Sequence, residues 1–376
     1  MKINIVRPLF PGIAELQEEF ADCLASGMVT NNSRHVRKFE EQLQAFFSSR
    51  NPPVSFCNGE MALFHLIQAW KEKLGYGAHE SFDVLVPSFT FSGTVNAIVL
   101  NNLRPVFCDI DETLTLCPRK IRKNDIPAKM IVAVGVYGNL PDIDELGKVA
   151  REKGMVLLFD NAAAFGSRYG GKFASNLGYG EIFSFHATKM FSSMEGGAAV
   201  VDEPQMVETL RHLRDFGQYE KSRGDVSIPG LNSKMQEISA LVGLKNLDRI
   251  GFILESRSRR IGRYREFFMG LEKKGRLRNM VVRDNVLCTY LYYPVILEEE
   301  ATDFVNYMQG MEVAVRRYYT AVHDLRYYKD KYAAMNLDVT DGIKDRIVAL
   351  PLHTDMSDGE IEYLFETVTN YFGGRS

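Results

Sequence analysis

In the stretch FSFHATKMFSSMEGG, residues 183–197, a single lysine, Lys189, stands between small polar residues and a glycine pair, directly after an apolar run. Twenty-nine positions earlier the run MVLLFD ends on Asp160. A lone aspartate at the end of a strand ordinarily caps a helix or accepts a loop hydrogen bond. A strand-end aspartate with a sheltered lysine is the pair that pyridoxal phosphate (PLP) chemistry needs. The lysine amine forms the Schiff base, and the carboxylate keeps the pyridine nitrogen protonated so that the ring can accept electrons. Such a lysine has to shed its proton near neutral pH, which requires burial or a cationic neighbour. A loop between two core strands offers burial.

A phosphate needs a receptor, and Asn58-Gly59-Glu60-Met61 supplies a glycine turn that opens a helix, whose free backbone N–H groups attract anions. The plain reading of such a turn is a change of chain direction. Ser184, close to the lysine, adds a hydroxyl, although it also fits as an ordinary strand serine. Phe91, in SFTFSGT, is placed to stack on a pyridine face, a contact worth about 0.5–1.5 kcal/mol beyond its area; its spacing suits core packing equally.

These residues need elements that bring them together. PVSFC, DVLVP, RPVFCDI, KMIVAVGVYG and MVLLFD are short, nearly continuous apolar runs separated by helical stretches such as NGEMALFHLIQAW and DIDELGKVAREKG. That alternation predicts an α/β fold whose mostly parallel sheet is covered on both faces, with ligands collecting beyond the carboxyl ends of the strands. GEIFSF and GGAAVV add two further strands. A long helical stretch follows from Asn232, broken near Gly251. Beyond it, strands near NMVVR and LCTYLYYPV and helices near 298–309 and 357–372 suit a smaller α+β unit. The expected division is a large PLP-binding domain over 1–250, including the N-terminal helices, and a small C-terminal domain over 251–376.

Composition agrees with such an enzyme. The 376 residues are 45% hydrophobic and 25% charged with a net charge of -3, so no basic excess is available to neutralise nucleic acid or an anionic membrane. The arginines between Arg257 and Arg265 read as a solvated or interface face. No apolar run approaches the ~18 residues that span a bilayer, and the N-terminus lacks a signal-peptide pattern, so a cytoplasmic location is expected. Cys23, Cys57, Cys108, Cys117 and Cys288 are scattered, which indicates neither a disulfide framework nor a metal site.

From about residue 3 to 372 the chain resembles the DegT/StrS-type nucleotide-sugar aminotransferases, which have the fold type I architecture of aspartate aminotransferase. The resemblance is carried, in order, by VTNNSRHVRKFEEQL, SFCNGEMAL, VLVPSFTFSGTVNAI, RPVFCDID, VGVYGNLPDIDEL, FDNAAAFGS, FSFHATKMFSSMEGG, GLNSKMQEISALVGLKNL and IVALPLHTDMSD. It implies that Lys189 forms the Schiff base, that Asp160 pairs with the pyridine nitrogen, that Phe91 stacks on the ring, and that Ser184 with the Gly59 and Glu60 backbone binds phosphate. It further implies that Asn232, in GLNSKM, reaches the cofactor phosphate of a neighbouring subunit, hence a homodimer with shared active sites.

Two positions depart from the family pattern. Glu60 stands where threonine is usual, so only a backbone contact carries over there. Ala163 stands where glutamine or histidine contacts the cofactor's phenolic oxygen; Asn161 or a water are the available substitutes. Related sugar dehydratases carry histidine at the Schiff-base position, whereas this chain has Lys189, so transamination is expected, with L-glutamate as donor and pyridoxamine phosphate as the aminated cofactor. The wording around Lys189 and Asn232 looks most like members that aminate C4 of a dTDP-4-keto-6-deoxyhexose, with C3 amination as the alternative. Sugar contacts are expected from the loop Phe216–Ile228, from the partner chain and from aromatics near Tyr318 and Tyr319. From other classes, a non-catalytic PLP-binding sensor would lack a reason to keep both Lys189 and Asp160, and a nicotinamide dehydrogenase would need a Gly-x-Gly-x-x-Gly turn that is missing.

Overall fold

The computed structural model of the protein describes residues 1–175, 177–218 and 224–374. Two N-terminal helices, α1 (Ile13–Ser26) and α2 (Arg34–Phe47), precede an α/β region. There β1 (Val54–Phe56), α3 (Gly59–Lys73), β2 (Asp83–Pro87), α4 (Ser92–Leu100), β3 (Arg104–Cys108), α5 (Pro118–Lys123), β4 (Met130–Val134), α6 (Ile143–Lys153) and β5 (Val156–Asp160) follow one another. After the two-residue strands β6 (Arg168–Tyr169) and β7 (Lys172–Phe173) come β8 (Gly180–Ser184), β9 (Gly197–Val200) and α7 (Pro204–Leu213).

Seven of these strands form one sheet in the order β1-β9-β8-β5-β4-β2-β3. The pairs from β3 across to β8 are parallel and β9 runs against both its neighbours, so the sheet is mixed but mostly parallel. The runs are continuously apolar because both faces are covered. Val84, Val86 and Leu158 point into a core shared with α3, α4 and α7, while Leu85, Leu157 and Phe159 point into the opposite core. A third core, rich in phenylalanine, joins Phe39 and Phe47 of α2 to Phe183, Phe185 and Phe191, with Leu244 of the next helix.

The long helical stretch breaks at Arg249, into α8 (Glu237–Asp248) and α9 (Ile250–Lys273). Arg257 of α9 is a correction to the solvated face expected from sequence. It is 3% exposed, its guanidinium donating to the carbonyls of Thr289, Tyr290 and Leu352, and burial lowers its pKa to about 10. Beyond α9, β10 (Leu277–Asn279), β12 (Tyr293–Leu297) and β13 (Ile347–Leu350) form an antiparallel sheet, and β11 (Val286–Leu287) joins β6 and β7. NMVVR is therefore a strand only up to Asn279. The Val281 carbonyl is taken by the Asn139 side chain and its N–H by the Glu112 carbonyl, which leaves no ladder partner. Helices α10 (Thr302–Gly310), α11 (Asp338–Ile343) and α12 (Asp358–Gly373) complete the order, α12 opening on a Ser357/Glu360 capping box.

The first residues are stitched to the last quarter of the chain. Ile3 bridges Val313, the Asn4 carbonyl meets His353 Nε2 at 2.9 Å, and Arg7 pairs with Glu360. Among the described residues no helix is long and apolar enough to cross a membrane, and all five cysteines are free, four of them buried.

Candidate active site

Register brings the predicted residues to one end of the sheet. Asp160 ends β5 opposite Val134 of β4 and Ile182 of β8, which places Ser184 two residues further along the neighbouring strand. Asp160 is 6% exposed. Its Oδ2 accepts from the Thr94 hydroxyl at 2.6 Å and its Oδ1 from the Ala162 N–H at 3.1 Å. Burial pushes the carboxyl above its ordinary pKa, while the Thr94 and Ala162 hydrogen bonds and the Lys189 ammonium pull it back.

Lys189 lies in the loop between β8 and β9, its N–H closing a turn onto the His186 carbonyl at 2.9 Å. The residue is half-buried. Desolvation of its ammonium pushes the pKa below the usual lysine value, against the attraction of Asp160. A cavity of about 20 Å³, the size of one water, lies beside it, walled by Ile5, Val6 and Leu9 from the start of the chain and by Leu352, His353 and Thr354 from near its end. The amine is thus sheltered by distant segments as well as by its own loop.

Asn58 caps α3, its Oδ1 accepting from the Met61 N–H at 2.8 Å. The Gly59 and Glu60 amides, one and two positions into the helix, have no acceptor among the described residues. A side chain at Gly59 would place its Cβ 2.7 Å from Ser184 Cβ, so only glycine lets β8 approach this helix end. The Glu60 carboxylate turns away from the turn, toward Asn96 Nδ2 at 3.4 Å. Phe91, N-cap of α4, is 53% exposed, with the ring of Tyr318 at a centroid distance of 6.2 Å.

Other positions divide. Tyr318 is half-buried beside Phe91, but Tyr319 is 4% exposed and packs on Tyr137 and Phe89, which removes it from the sugar contacts expected of it. Asn161 is fully buried and donates its amide to the Ala174 carbonyl at 3.0 Å, while its Oδ1, beside Gly135, has no hydrogen-bond partner among the described residues. Asn232 is exposed, in a bridge to Asp215. Of the loop Phe216–Ile228, residues 219–223 lie outside the described residues. Thr94 is the functional residue that sequence reasoning missed. A hydroxyl in the first turn of a helix looks like any other, and only the tertiary fold shows that it faces a carboxylate 66 positions away.

The donor set fits PLP. Two unsatisfied amides and a hydroxyl at a helix N-terminus suit a phosphate, an exposed aromatic ring offers a stacking face, a fixed buried carboxylate suits a protonated pyridine, and a desolvated amine suits an aldehyde.

Known proteins resemble the chain over nearly its whole length. The chain matches the DegT/DnrJ/EryC1/StrS aminotransferase family over residues 12–369. It is 28% identical over 373 residues to the dTDP-4-amino-4,6-dideoxy-D-glucose transaminase of Shigella dysenteriae, covering 97% of this chain and 98% of that one. It is 25% identical over 357 residues to the GDP-perosamine synthase of Vibrio cholerae, covering 93% and 94%. The structure of DesI, determined in the presence of its TDP-sugar product, superposes with a TM-score of 0.86 at 30% identity, covering 98% of this chain and 92% of that one.

Proposed function

The chain belongs to the DegT/DnrJ/EryC1/StrS aminotransferase family, and from that membership we propose that it moves the amino group of L-glutamate to C4 of a dTDP-linked 4-keto-6-deoxyhexose. It is a PLP-dependent transaminase of fold type I acting on nucleotide sugars; the donor, the sugar and the ring position are our reading. The observation that carries it is the convergence of a desolvated Lys189 amine and a hydrogen-bonded Asp160 carboxylate at the carboxyl end of the sheet. The relatives' names, one acting on a dTDP-4-amino sugar and one solved with a TDP-sugar product, support the choice of sugar.

When bound, PLP supplies an aldehyde that captures amines and a cationic ring that accepts the electron pair released with the donor's α-proton. Lys189 would hold that aldehyde. As a neutral amine it would take the donor's α-proton in the first half of the reaction and deliver a proton to the sugar carbon in the second. Burial lowers the pKa of the amine, which favours the neutral form that acts as base. Asp160 would keep the ring nitrogen protonated, Phe91 would cover one ring face, and Ser184 with the Gly59 and Glu60 amides would hold the phosphate.

Asn232, exposed on its own subunit, reaches the phosphate site of a second copy, and the enzyme works as a homodimer. Tyr318 lies where it meets the sugar. Residues 1–250 act as the cofactor-bearing domain and 251–376 as the smaller one, in a cytoplasmic protein.

The test is to load the protein with PLP, add L-glutamate, and then offer dTDP-, GDP- and UDP-linked 3-keto and 4-keto sugars, following the cofactor's visible absorbance and identifying amino sugars by mass. A 4-amino dTDP sugar is expected. If glutamate bleaches the absorbance but only a 3-keto or a non-dTDP sugar restores it, the sugar assignment falls while the amino-transfer chemistry stands.

A further inference from the structure

We propose that Thr94 is the positioning residue that keeps the Asp160 carboxylate ionised and rotationally fixed, with Thr90 setting the direction of the Thr94 hydroxyl. The inference rests on the pairing of Asp160 with the cofactor nitrogen proposed above. Thr90, Thr94 and Asp160 form a buried line, the two threonines being 1% and 2% exposed. The Thr94 hydroxyl is 2.6 Å from Asp160 Oδ2, and the Thr90 hydroxyl is 3.1 Å from that of Thr94. A threonine hydroxyl has one proton to give. If Thr94 gives it to a carboxylate, Thr90 has to donate to Thr94, and the whole line then points at Asp160. Protonating Asp160 removes the need for that order, because the acid then has a proton of its own to donate. The line therefore favours the charged form.

The neighbours of Asp160 leave this work to Thr94. On one side stands Lys189, whose amine has to be neutral to act as base and so is no dependable counterion. On the other stand Tyr318 and Tyr319, whose phenols burial holds protonated. The remaining partner is the Ala162 N–H, which fixes only Oδ1. Burial alone pushes the carboxyl toward its neutral form, and a neutral acid does not hold a pyridine nitrogen protonated.

The test compares PLP-loaded wild type with Thr94→Val, which keeps the β-branched shape but leaves Oδ2 without its donor, and with Thr94→Ser, which restores it. A hydrogen bond to a charged group corresponds to about one to two pH units of ionisation. The acid limb of the pH–rate profile of the glutamate half-reaction is expected to move up by about that amount in Thr94→Val and to return in Thr94→Ser. In protein carrying 15N-labelled cofactor, the pyridine nitrogen resonance of Thr94→Val is expected to shift toward that of the unprotonated ring. Thr90→Val, which leaves Thr94 in place, should move both readouts the same way by less, and it decides the matter if Thr94→Val does not fold. Wild-type profiles and nitrogen shifts in both valine variants overturn the inference. Failure of the wild type to attach PLP at Lys189 would instead overturn the functional reading on which it rests.

Discussion

At the residue scale, the site depends on one amine whose pKa burial lowers. Lys189→Arg keeps a cation of similar reach but cannot lose its proton or form the covalent link. It is expected to show no turnover above background and no pyridoxyl adduct at position 189 after borohydride reduction, with an unchanged unfolding midpoint. Amino-sugar production by that variant would remove Lys189 from the mechanism. Lys189 and Asp160 were legible in sequence because each breaks a pattern, a charge at the end of an apolar run. Thr94 breaks none, since its significance is a distance. Tyr319 shows the converse. Side by side with Tyr318 in sequence it looked equally available, yet its ring stacks on that of Tyr318 at 4.0 Å and packs against Tyr137 and Phe89 in the core.

At the element scale, β9, β8 and the start of α3 meet in a tight joint. Gly197 pairs with both Phe56 of β1 and Ser184 of β8, and a Cβ there would lie 2.5 Å from the Asn58 carbonyl carbon and the Gly59 nitrogen. Backbone cannot swing aside as a side chain can, so Gly197→Ala is expected to cost roughly 1–3 kcal/mol and to displace the amides offered to the phosphate. Urea unfolding and PLP titration should both worsen; a loss of stability with undiminished PLP affinity would separate this joint from the phosphate site. The strands of the large sheet could be read from sequence because burial on both faces makes them continuous apolar runs. NMVVR misled for the same reason, as apolarity marks burial and not ladder pairing. The two-residue β6 and β7 are too short to leave a periodic signal at all.

At the scale of the whole molecule, the stitching of the N-terminus to the C-terminal quarter had no sequence signature, because the partners are more than 300 positions apart. Arg7 holds the Glu360 carboxyl down to about 2 from an ordinary 4.5. A depressed carboxyl contributes stability that is fully present above pH 4.5 and lost as pH falls toward 2. Allowing for solvent screening of the partly exposed arginine, Arg7→Ala should lower stability by on the order of 2 kcal/mol at pH 7. The gap from wild type should close as the buffer is taken from pH 5 to pH 2, as urea midpoints would show; a gap independent of pH would mean that Arg7 acts by packing alone.

The pocket around Lys189 uses residues 5–9 as one wall and 352–354 as another, and this imposes an order of events during biosynthesis. A ribosome has to deliver nearly the entire polypeptide before the last wall of the pocket is in place. Until then the amine lacks part of its shelter, so fragments ending short of residue 352 should hold PLP at position 189 more weakly than the full chain.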